Sequence, residues 1–255
     1  MEHELRAAIQ QGELAIHYQP IVDLRTGRIR KFEALVRWFH PARGEVSPVE
    51  FIPLAERSGL IITLGNWITR TAACAAATWP EDVLLAVNLS PVQITAPGAE
   101  LGVLAALREA RLPARRLELE VSESLLLDQG DAAAQFMGVL AAEGVRFTLA
   151  DVGTGDASLD YIRRYPFSAI KVDRSLVSGP VMGHSHAAII RAVADFGEAL
   201  GIATVAVGLE TAEQVDMVRR AGCTLGQGWH FSRAVPQEQV LHLLADKQAA
   251  LRRAL

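Results

Sequence analysis

Cysteine is scarce in this chain of 255 residues, which contains Cys74 and Cys223 and no other. Two cysteines so far apart in sequence do not form the dense pattern of a small disulfide-stabilised secreted domain. The scarcity therefore argues against a disulfide framework and favours a reducing compartment.

Long apolar runs and an excess of basic residues are missing as well. No apolar run approaches the roughly 20 residues that a membrane-spanning helix needs. The first segment, MEHELRAAIQQGEL, carries acids and has no apolar core, so it is not typical of a signal peptide. The formal net charge of −4 does not indicate a surface that binds nucleic acid. These absences predict a cytoplasmic protein with no membrane segment and no nucleic-acid partner.

The chain alternates short apolar runs with longer segments of helical spacing. The runs are rich in Val and Leu and end in polar residues: DVLLAVNLS, RLELEVSES, VRFTLADVG, FSAIKVD, IATVAVGLE and CTLGQGW. Such alternation is typical of βα units that build a parallel sheet covered by helices. Six units in a chain of this length, with no G-x-G-x-x-G motif after an early strand, favour a closed TIM-like (β/α)8 barrel over an open sheet. We assign residues 1–255 to one α/β domain.

The N-terminal part has a different pattern. The segments LAIHYQPIVDL and RIRKFEALVRWF flank RTG, a turn of the kind that joins two antiparallel strands. We therefore expect the barrel to contain one antiparallel strand near its N-terminus.

Polar side chains recur at or just beyond the ends of the predicted strands. They are Asn88, Glu120, Asp151, Lys171, Asp173, Glu210 and Gln227. In a βα barrel the strand ends converge on one rim, and that rim holds the active site. For any one of these residues, a role as a helix cap is about as good an explanation as a role in a site. Helix capping is a poor explanation for all seven together. The oxygen-bearing side chains suit Mg²⁺ or Mn²⁺, and a lysine among them suits charge balance or a phosphate contact.

The motifs, taken in chain order, resemble a known family. They are YQPIVDL, FEALVRW, HPARGEVSPVEFIPLAERSGLI, VNLS, LELEVSES, DVGTGDASLDYIRRYPFSAIKVDRSLV, GLETAEQ and GCTLGQGWHFSRAVP. This succession is similar to the EAL domain, the bacterial phosphodiesterase of cyclic di-GMP, from about residue 14 to residue 236. The resemblance implies a barrel with one antiparallel strand. It also implies that active members hydrolyse one phosphodiester of cyclic di-GMP with two divalent ions at the strand ends.

Matching positions carry the family's roles onto this chain. Arg37 matches an arginine that holds a phosphate, and Lys171 matches a lysine near the attacking water. The implied metal ligands are Glu33, Asn88, Glu120 and Asp151, and the implied catalytic positions are Lys171, Glu123 and Asp151. The implied ligand-binding positions are Gln19, Glu33, Leu35, Arg37, Asn88, Lys171, Asp173, Glu210 and Gln227.

Two positions depart from the family pattern. The family's D-D-F-G-T-G appears here as ADVGTG, so Ala150 stands where the family has the aspartate that bridges both ions. The family's A-E-G-V-E-T appears as AVGLET, so Val207 stands where the family has a glutamate ligand of the second ion. Neither side chain carries an oxygen atom. The resemblance therefore implies a partial site for one Mg²⁺ or Mn²⁺ and the loss of the second, with Asp151 the survivor of a pair.

These departures decide the leading hypothesis, which is a degenerate, catalytically inactive EAL domain that binds cyclic di-GMP as a receptor or regulatory module in bacterial signalling. One alternative is an active Mg²⁺- or Mn²⁺-dependent phosphodiesterase that releases the linear dinucleotide pGpG. Another is a ligand-independent protein–protein interaction module. A protein partner is expected. A homodimer is left open, since Asp156 and Ala157 replace an aromatic residue and a serine in the loop that, in the family, links the site to a dimer contact.

Overall fold

Strands and helices alternate along the chain, as the hydrophobic pattern predicts. The computed structural model describes residues 1–153, 164–178 and 184–253, so Asp156 and Ala157 lie outside the described residues. The strands are β1 (Leu14–Asp23), β2 (Ile29–His40), β3 (Gly44–Val46), β4 (Leu84–Asn88), β5 (Leu117–Ser122), β6 (Arg146–Val152), β7 (Phe167–Val172), β8 (Ala203–Val207), β9 (Leu225–Gln227) and β10 (Val235–Pro236).

The helices of the described ranges surround these strands. They are α1 (Glu2–Gln11), α2 (Pro48–Ser58), α3 (Leu60–Ala76), α4 (Pro91–Ile94), α5 (Ala99–Ala110), α6 (Glu123–Ala142), α7 (Ser175–Ser178), α8 (His184–Leu200), α9 (Ala212–Arg220) and α10 (Gln237–Arg253), with a 3-10 turn at Ala114–Arg116. Within the described ranges, none of these helices is long and apolar enough to cross a bilayer. Cys74 is exposed and Cys223 is buried, and both are free.

Eight strands close into a ring in the order β1, β2, β4, β5, β6, β7, β8 and β9. β1 is antiparallel to both of its ring neighbours, β2 and β9, whereas every other neighbouring pair in the ring is parallel. β3 and β10 lie outside the ring and pair with β2 and β1. The predicted α/β TIM-like barrel with one antiparallel strand near the N-terminus is confirmed.

Side chains that point into the barrel divide its interior into two halves, because alternate residues of a strand face opposite sides. One half is polar and contains Lys31, Glu33, Glu118, Glu120 and Lys171, all of them buried. The other half is an inner apolar cluster, which we define as Ile21, Ala169, Val205 and Leu225 with Ala203 and Val207 packed against it. Burying charged groups inside a barrel costs free energy unless they are paired. The charged side chains of the polar half must therefore form ion pairs and hydrogen bonds with one another.

A glycine fixes the exit of β9, the strand that ends in Gln227. A Cβ atom at Gly228 would lie 2.0 Å from the carbonyl oxygen of Leu209 and 2.3 Å from its nitrogen, so only glycine allows this approach of two backbones. The amide of Leu209 also donates to the carbonyl oxygen of Gln227 at 3.1 Å. The end of β9 is thereby held against the loop after β8, and the side chain of Gln227 is held at the rim.

A buried arginine ties together the starts of β4 and β5. Arg116 is only 4% exposed. Its Nη2 donates to the carbonyl oxygens of Ala76, Pro80 and Val83 at 2.9, 3.1 and 2.9 Å, and its Nε donates to Val83 at 3.2 Å. The guanidinium therefore substitutes for regular backbone pairing where helix α3 turns into strand β4.

Arg116→Met is expected to lower the free energy of unfolding by about 2–4 kcal/mol, because buried carbonyl oxygens lose charged donors. Urea denaturation at pH 7.5 measures the change. Arg115→Met is the matched control, since the neighbouring arginine is exposed and its loss should cost less than about 0.5 kcal/mol. Equal losses in the two variants would refute this assignment.

Candidate functional site

The strand ends bring most of the predicted site residues to one rim of the barrel. The register pairs Gln19 with Glu33 across β1 and β2, and Asn88 with Glu120 across β4 and β5. We call the group of hydrogen-bonded side chains at this rim the rim cluster: Gln19, Glu33, Asn88, Glu120, Lys171 and Gln227.

Lys171 lies at the centre of the rim cluster. Its Nζ is 2.8 Å from Glu33 Oε2 and 2.6 Å from Glu120 Oε2, and all three side chains are buried. Burial alone would lower the pKa of Lys171. The two adjacent carboxylates outweigh that effect and raise the pKa above its ordinary value. Lys171 is therefore a fixed positive charge between two acids.

Glu33 is the fully satisfied carboxylate of the two. Besides Lys171, its Oε1 accepts from Asn88 Nδ2 and its Oε2 accepts from Gln227 Nε2, each at 2.6 Å. Burial raises the pKa of Glu33, but the attraction of Lys171 and these hydrogen bonds more than offset it, so the pKa is lowered overall. Glu33 is ionised at neutral pH.

Glu120 has a different protonation state. Burial, and then repulsion from Glu33, raise its pKa to about 7 despite the contact with Lys171. The two neighbouring carboxyl groups thus titrate far apart, and Glu120 exchanges a proton in the neutral range.

Two buried oxygen atoms of the rim cluster lack hydrogen-bond partners among the described residues: Glu120 Oε1 and Gln227 Oε1. An unsatisfied buried polar atom costs about 1–3 kcal/mol, and such atoms call for an explanation. Both atoms belong to the rim cluster, and Gln227 also lines a pocket at this rim, which is described below. They are therefore suited to receive a bound group.

Three side chains of the rim cluster carry oxygen atoms of the kind that bind a divalent ion. Glu33, Asn88 and Glu120 together offer two carboxylates and one amide, which are oxygen ligands of the kind that Mg²⁺ and Mn²⁺ prefer. In the described part of the chain, no three His, Cys, Asp or Glu side chains gather closely enough to form a metal site by themselves. Asp151, the fourth predicted ligand, does not complete such a group. Ala150 and Val207 offer hydrocarbon only.

Asp151 lies in an irregular stretch of β6. The pairing of β6 with β7 shifts register between Leu149 and Val152, and Asp151 has a φ of 59°. A non-glycine residue in the left-handed region is strained, and such strain is often found at functional sites. Burial, followed by repulsion from Asp173, raises the pKa of the Asp151 carboxyl.

Two pockets flank the rim cluster. The first rim pocket, of about 410 Å³, contains Leu35, Arg37, Asn88 and Asp151 in its wall. The second rim pocket, of about 590 Å³, contains Gln19, Val207, Glu210, Gln227 and Trp229. Each lies within the size range of ligand pockets, and six of the predicted ligand-binding residues line one or the other.

The remaining predicted residues have local structural partners. Asp173 Oδ1 accepts from the backbone N–H of Ser175 at 2.8 Å at the start of α7. Burial raises the pKa of Asp173, but its bonds to Ser175 lower it overall. Glu123 is buried as the first residue of α6, directly after the cap residue Ser122. Both residues lie at strand ends, as expected.

A second ion pair lies one layer deeper in the barrel and was missed in the sequence. Lys31 Nζ bonds to Glu118 Oε1, and both side chains are 3% exposed. The signal was present as two alternating pairs, Lys31 with Glu33 and Glu118 with Glu120, because residues two apart in a strand share a face. The family resemblance assigned no role to Lys31 or Glu118, so this buried ion pair was not predicted.

The titration of Glu120 predicts a pH dependence of stability. As pH rises above about 4.5, the unfolded carboxyl ionises while the folded one stays protonated, so the free energy of unfolding falls until about pH 7 and then levels. Glu120→Gln removes this titration. In EDTA, the wild-type value minus the variant value should fall by about 1–3 kcal/mol between pH 4.5 and pH 7.5. Urea denaturation across this range measures it, and a difference that rises with pH would contradict the assignment.

The sequence of this chain is similar to a known domain family and to several bacterial proteins. The sequence model of the EAL domain matches residues 2–234. The uncharacterized protein y4lL of Sinorhizobium fredii is 44% identical over 247 residues, which cover 97% of this chain and 30% of y4lL. The bifunctional diguanylate cyclase/cyclic di-GMP phosphodiesterase MucR of Pseudomonas aeruginosa is 37% identical over 247 residues, which cover 95% of this chain and 36% of MucR. The chain spans about a third of the length of these relatives.

The solved structure of the MucR phosphodiesterase in a complex with c-di-GMP has the same fold. It superposes with a TM-score of 0.89 at 37% identity, over 93% of this chain and 98% of that one. Because the family sequence model spans nearly the whole chain and the barrel superposes on a solved member, the chain belongs to the EAL domain family.

Proposed function

We propose that this EAL domain binds cyclic di-GMP at the rim cluster, does not hydrolyse it at an appreciable rate, and acts as a receptor or regulatory module in bacterial signalling. The observation that carries the proposal is the pair Ala150 and Val207. They lie at the ends of β6 and β8, where the EAL pattern has acids, and they offer no oxygen atom.

Ligand binding is supported by the charges and pockets that remain. Arg37 lines the first rim pocket, and a guanidinium suits a phosphate because it donates in a planar fork. Lys171 is a second positive charge at the rim, although it is buried and paired with Glu33 and Glu120. A cyclic dinucleotide has two phosphates and two bases, and the rim has one pocket on each side of the cluster. The similar phosphodiesterase MucR has been solved in a complex with c-di-GMP.

Loss of hydrolysis is supported by the metal positions. One Mg²⁺ or Mn²⁺ held by Glu33, Asn88 and Glu120 would polarise a phosphate oxygen as a Lewis acid. Nothing at positions 150 and 207 fits a second ion, so no step through a second ion is assigned to this chain. Loss of one preorganised electrostatic element typically costs about 10²–10³ in rate, and here two are missing from one cluster.

An active phosphodiesterase is the second candidate. It is favoured by the retention of Glu33, Asn88, Glu120 and Lys171, and by the phosphodiesterase name of the relative MucR. A ligand-independent interaction module is the third, and it requires no occupant of the rim. Ligand titration combined with product analysis separates the three.

Isothermal titration calorimetry with cyclic di-GMP is expected to give a micromolar dissociation constant, roughly −8 kcal/mol, in Mg²⁺. Chromatography of the same mixture should show no appreciable linear dinucleotide. Arg37→Gln should weaken binding at least tenfold. Arg43→Gln is the matched control, because Arg43 is an exposed arginine that pairs with Glu4, and it should bind like the wild type.

Each contrary result selects one alternative. A dissociation constant weaker than about 1 mM, roughly −4 kcal/mol, would remove the receptor proposal and leave the interaction module. Rapid release of the linear dinucleotide would establish the active enzyme instead.

The double variant Ala150→Asp/Val207→Glu is expected to gain phosphodiesterase activity in Mn²⁺ by a factor of at least about 10², because two carboxylates return to the rim. Initial rates of linear dinucleotide formation measure the gain. Ala150→Asn/Val207→Gln is the matched control, since it restores size without charge and should gain far less. No gain in a folded double variant would show that the site is damaged elsewhere too.

A further inference from the structure

A third large pocket opens at the opposite end of the barrel, where the parallel strands begin. Its volume is about 580 Å³, within the range of pockets that hold small molecules. We call it the basal pocket and define it by Arg30, Lys31, Arg115, Glu118, Arg146 and Thr224, which are among the residues that line it. None of the residues that line either rim pocket belongs to it.

The deep part of the basal pocket is electrically balanced. Lys31 and Glu118 form their ion pair there, and the attraction of Lys31 more than offsets burial and lowers the pKa of Glu118. A ligand that reaches this depth meets a neutral pair, so any charge preference must come from the mouth of the pocket.

Two of the other three acids that line the basal pocket, Asp23 and Asp82, already have partners. Asp23 accepts two hydrogen bonds from backbone N–H groups of its own turn, at 2.8 and 3.0 Å. Asp82 pairs with Arg28 at 3.5 Å. Glu81, the third acid, is exposed, and the guanidinium of Arg116 nearby donates to backbone carbonyl oxygens.

Three arginines at the mouth have no such partner. Arg30, Arg115 and Arg146 are exposed, and none of them forms an ion pair within residues 1–153, 164–178 and 184–253. Arg146 Nε donates to the carbonyl oxygen of Arg115 at 3.2 Å, which holds the two residues side by side. The five basic residues that line the basal pocket outnumber its four acidic ones, and the three exposed arginines outnumber the exposed acids Glu81 and Asp82, on a chain whose formal net charge is −4.

We propose that the basal pocket binds a small phosphate-bearing anion, of the class of inorganic pyrophosphate or the diphosphate group of a nucleotide. Arginine forks match phosphate oxygens two at a time, and three arginines around one concave mouth suit a ligand with two adjacent phosphates. The walls and floor beyond the mouth, which include Thr224 and the paired Lys31 and Glu118, leave room for an attached organic group. This site is separate from the rim cluster and does not depend on what the rim binds.

Calorimetric titration of the full chain with sodium pyrophosphate tests the proposal, at low ionic strength and with EDTA present. Wild-type protein is expected to bind with a dissociation constant below about 1 mM. Arg30→Gln/Arg115→Gln and, separately, Arg146→Gln should each weaken binding at least tenfold. The double variant is suited to the test because both side chains are exposed; circular dichroism checks its fold.

Arg70→Gln is the matched control, because it removes the same charge from an exposed position on α3 and should change the affinity less than twofold. Titration with GDP and ADP distinguishes the source of the phosphate. Tighter binding than pyrophosphate identifies a nucleotide, and equal or weaker binding identifies the free anion.

Three results would overturn the proposal. The first is no binding of pyrophosphate by the wild type. The second is equal weakening by Arg70→Gln, which would mean diffuse attraction to the surface. The third is loss of binding in Arg37→Gln with retention in Arg30→Gln/Arg115→Gln, which would place the anion at the rim.

Discussion

The ammonium of Lys171 between the carboxylates of Glu33 and Glu120 is the interaction on which the site depends. Three ionisable side chains from β2, β5 and β7 meet inside the barrel, and each would be expensive to bury alone. Their burial is possible because the closed ring places the three side chains at the same level along the barrel axis, where they form ion pairs with one another. The hydrogen bonds from Asn88 and Gln227 to Glu33 extend the arrangement to β4 and β9. The rim cluster is thus a property of the register, and a slip of one strand by one residue would turn its charged side chain out of the barrel.

Charge inside the barrel is organised in layers. Lys31 and Glu118 lie below Glu33, Glu120 and Lys171, and the charge of Lys31 acts on Glu120 while that of Lys171 acts on Glu118. Each lysine thus attracts a glutamate of the other layer, which lowers the cost of burying both layers. The two ends of the barrel are therefore electrostatically linked through its polar half, although their pockets share no wall residue.

Much of the fold was readable from the sequence because it follows from periodicity. Apolar runs alternating with helical segments identified the parallel strands, and the RTG turn between two long strands identified the antiparallel one. The rim residues were readable because they follow buried runs, and six of those predicted to bind ligand line one of two pockets. The family motifs pointed to the missing acids at 150 and 207, whose consequence for activity stays a proposal.

The rest depended on geometry that no local pattern encodes. The left-handed conformation of Asp151 arises from a shift in the pairing of β6 with β7, which depends on both strands at once. Burial raises the pKa of both Glu33 and Glu120; Lys171 and the hydrogen bonds donated by Gln227 and Asn88 outweigh burial at Glu33, whereas repulsion from Glu33 adds to it at Glu120. These partners lie on strands distant in sequence. The basal pocket is built by residues near the starts of strands and their preceding loops, whereas the site predicted from the sequence rested on polar residues at the strand ends.

The division of the barrel interior has a bearing on how this chain changes over evolutionary time. Val207 packs on the inner apolar cluster and also lines the second rim pocket, so an acid at this position would lie between hydrocarbon and the pocket. Ala150 is likewise partly buried, and it lies where the pairing of β6 with β7 shifts register. Either acid can therefore return to the rim without complete burial, and the acid at 207 is the one that must be accommodated beside apolar side chains.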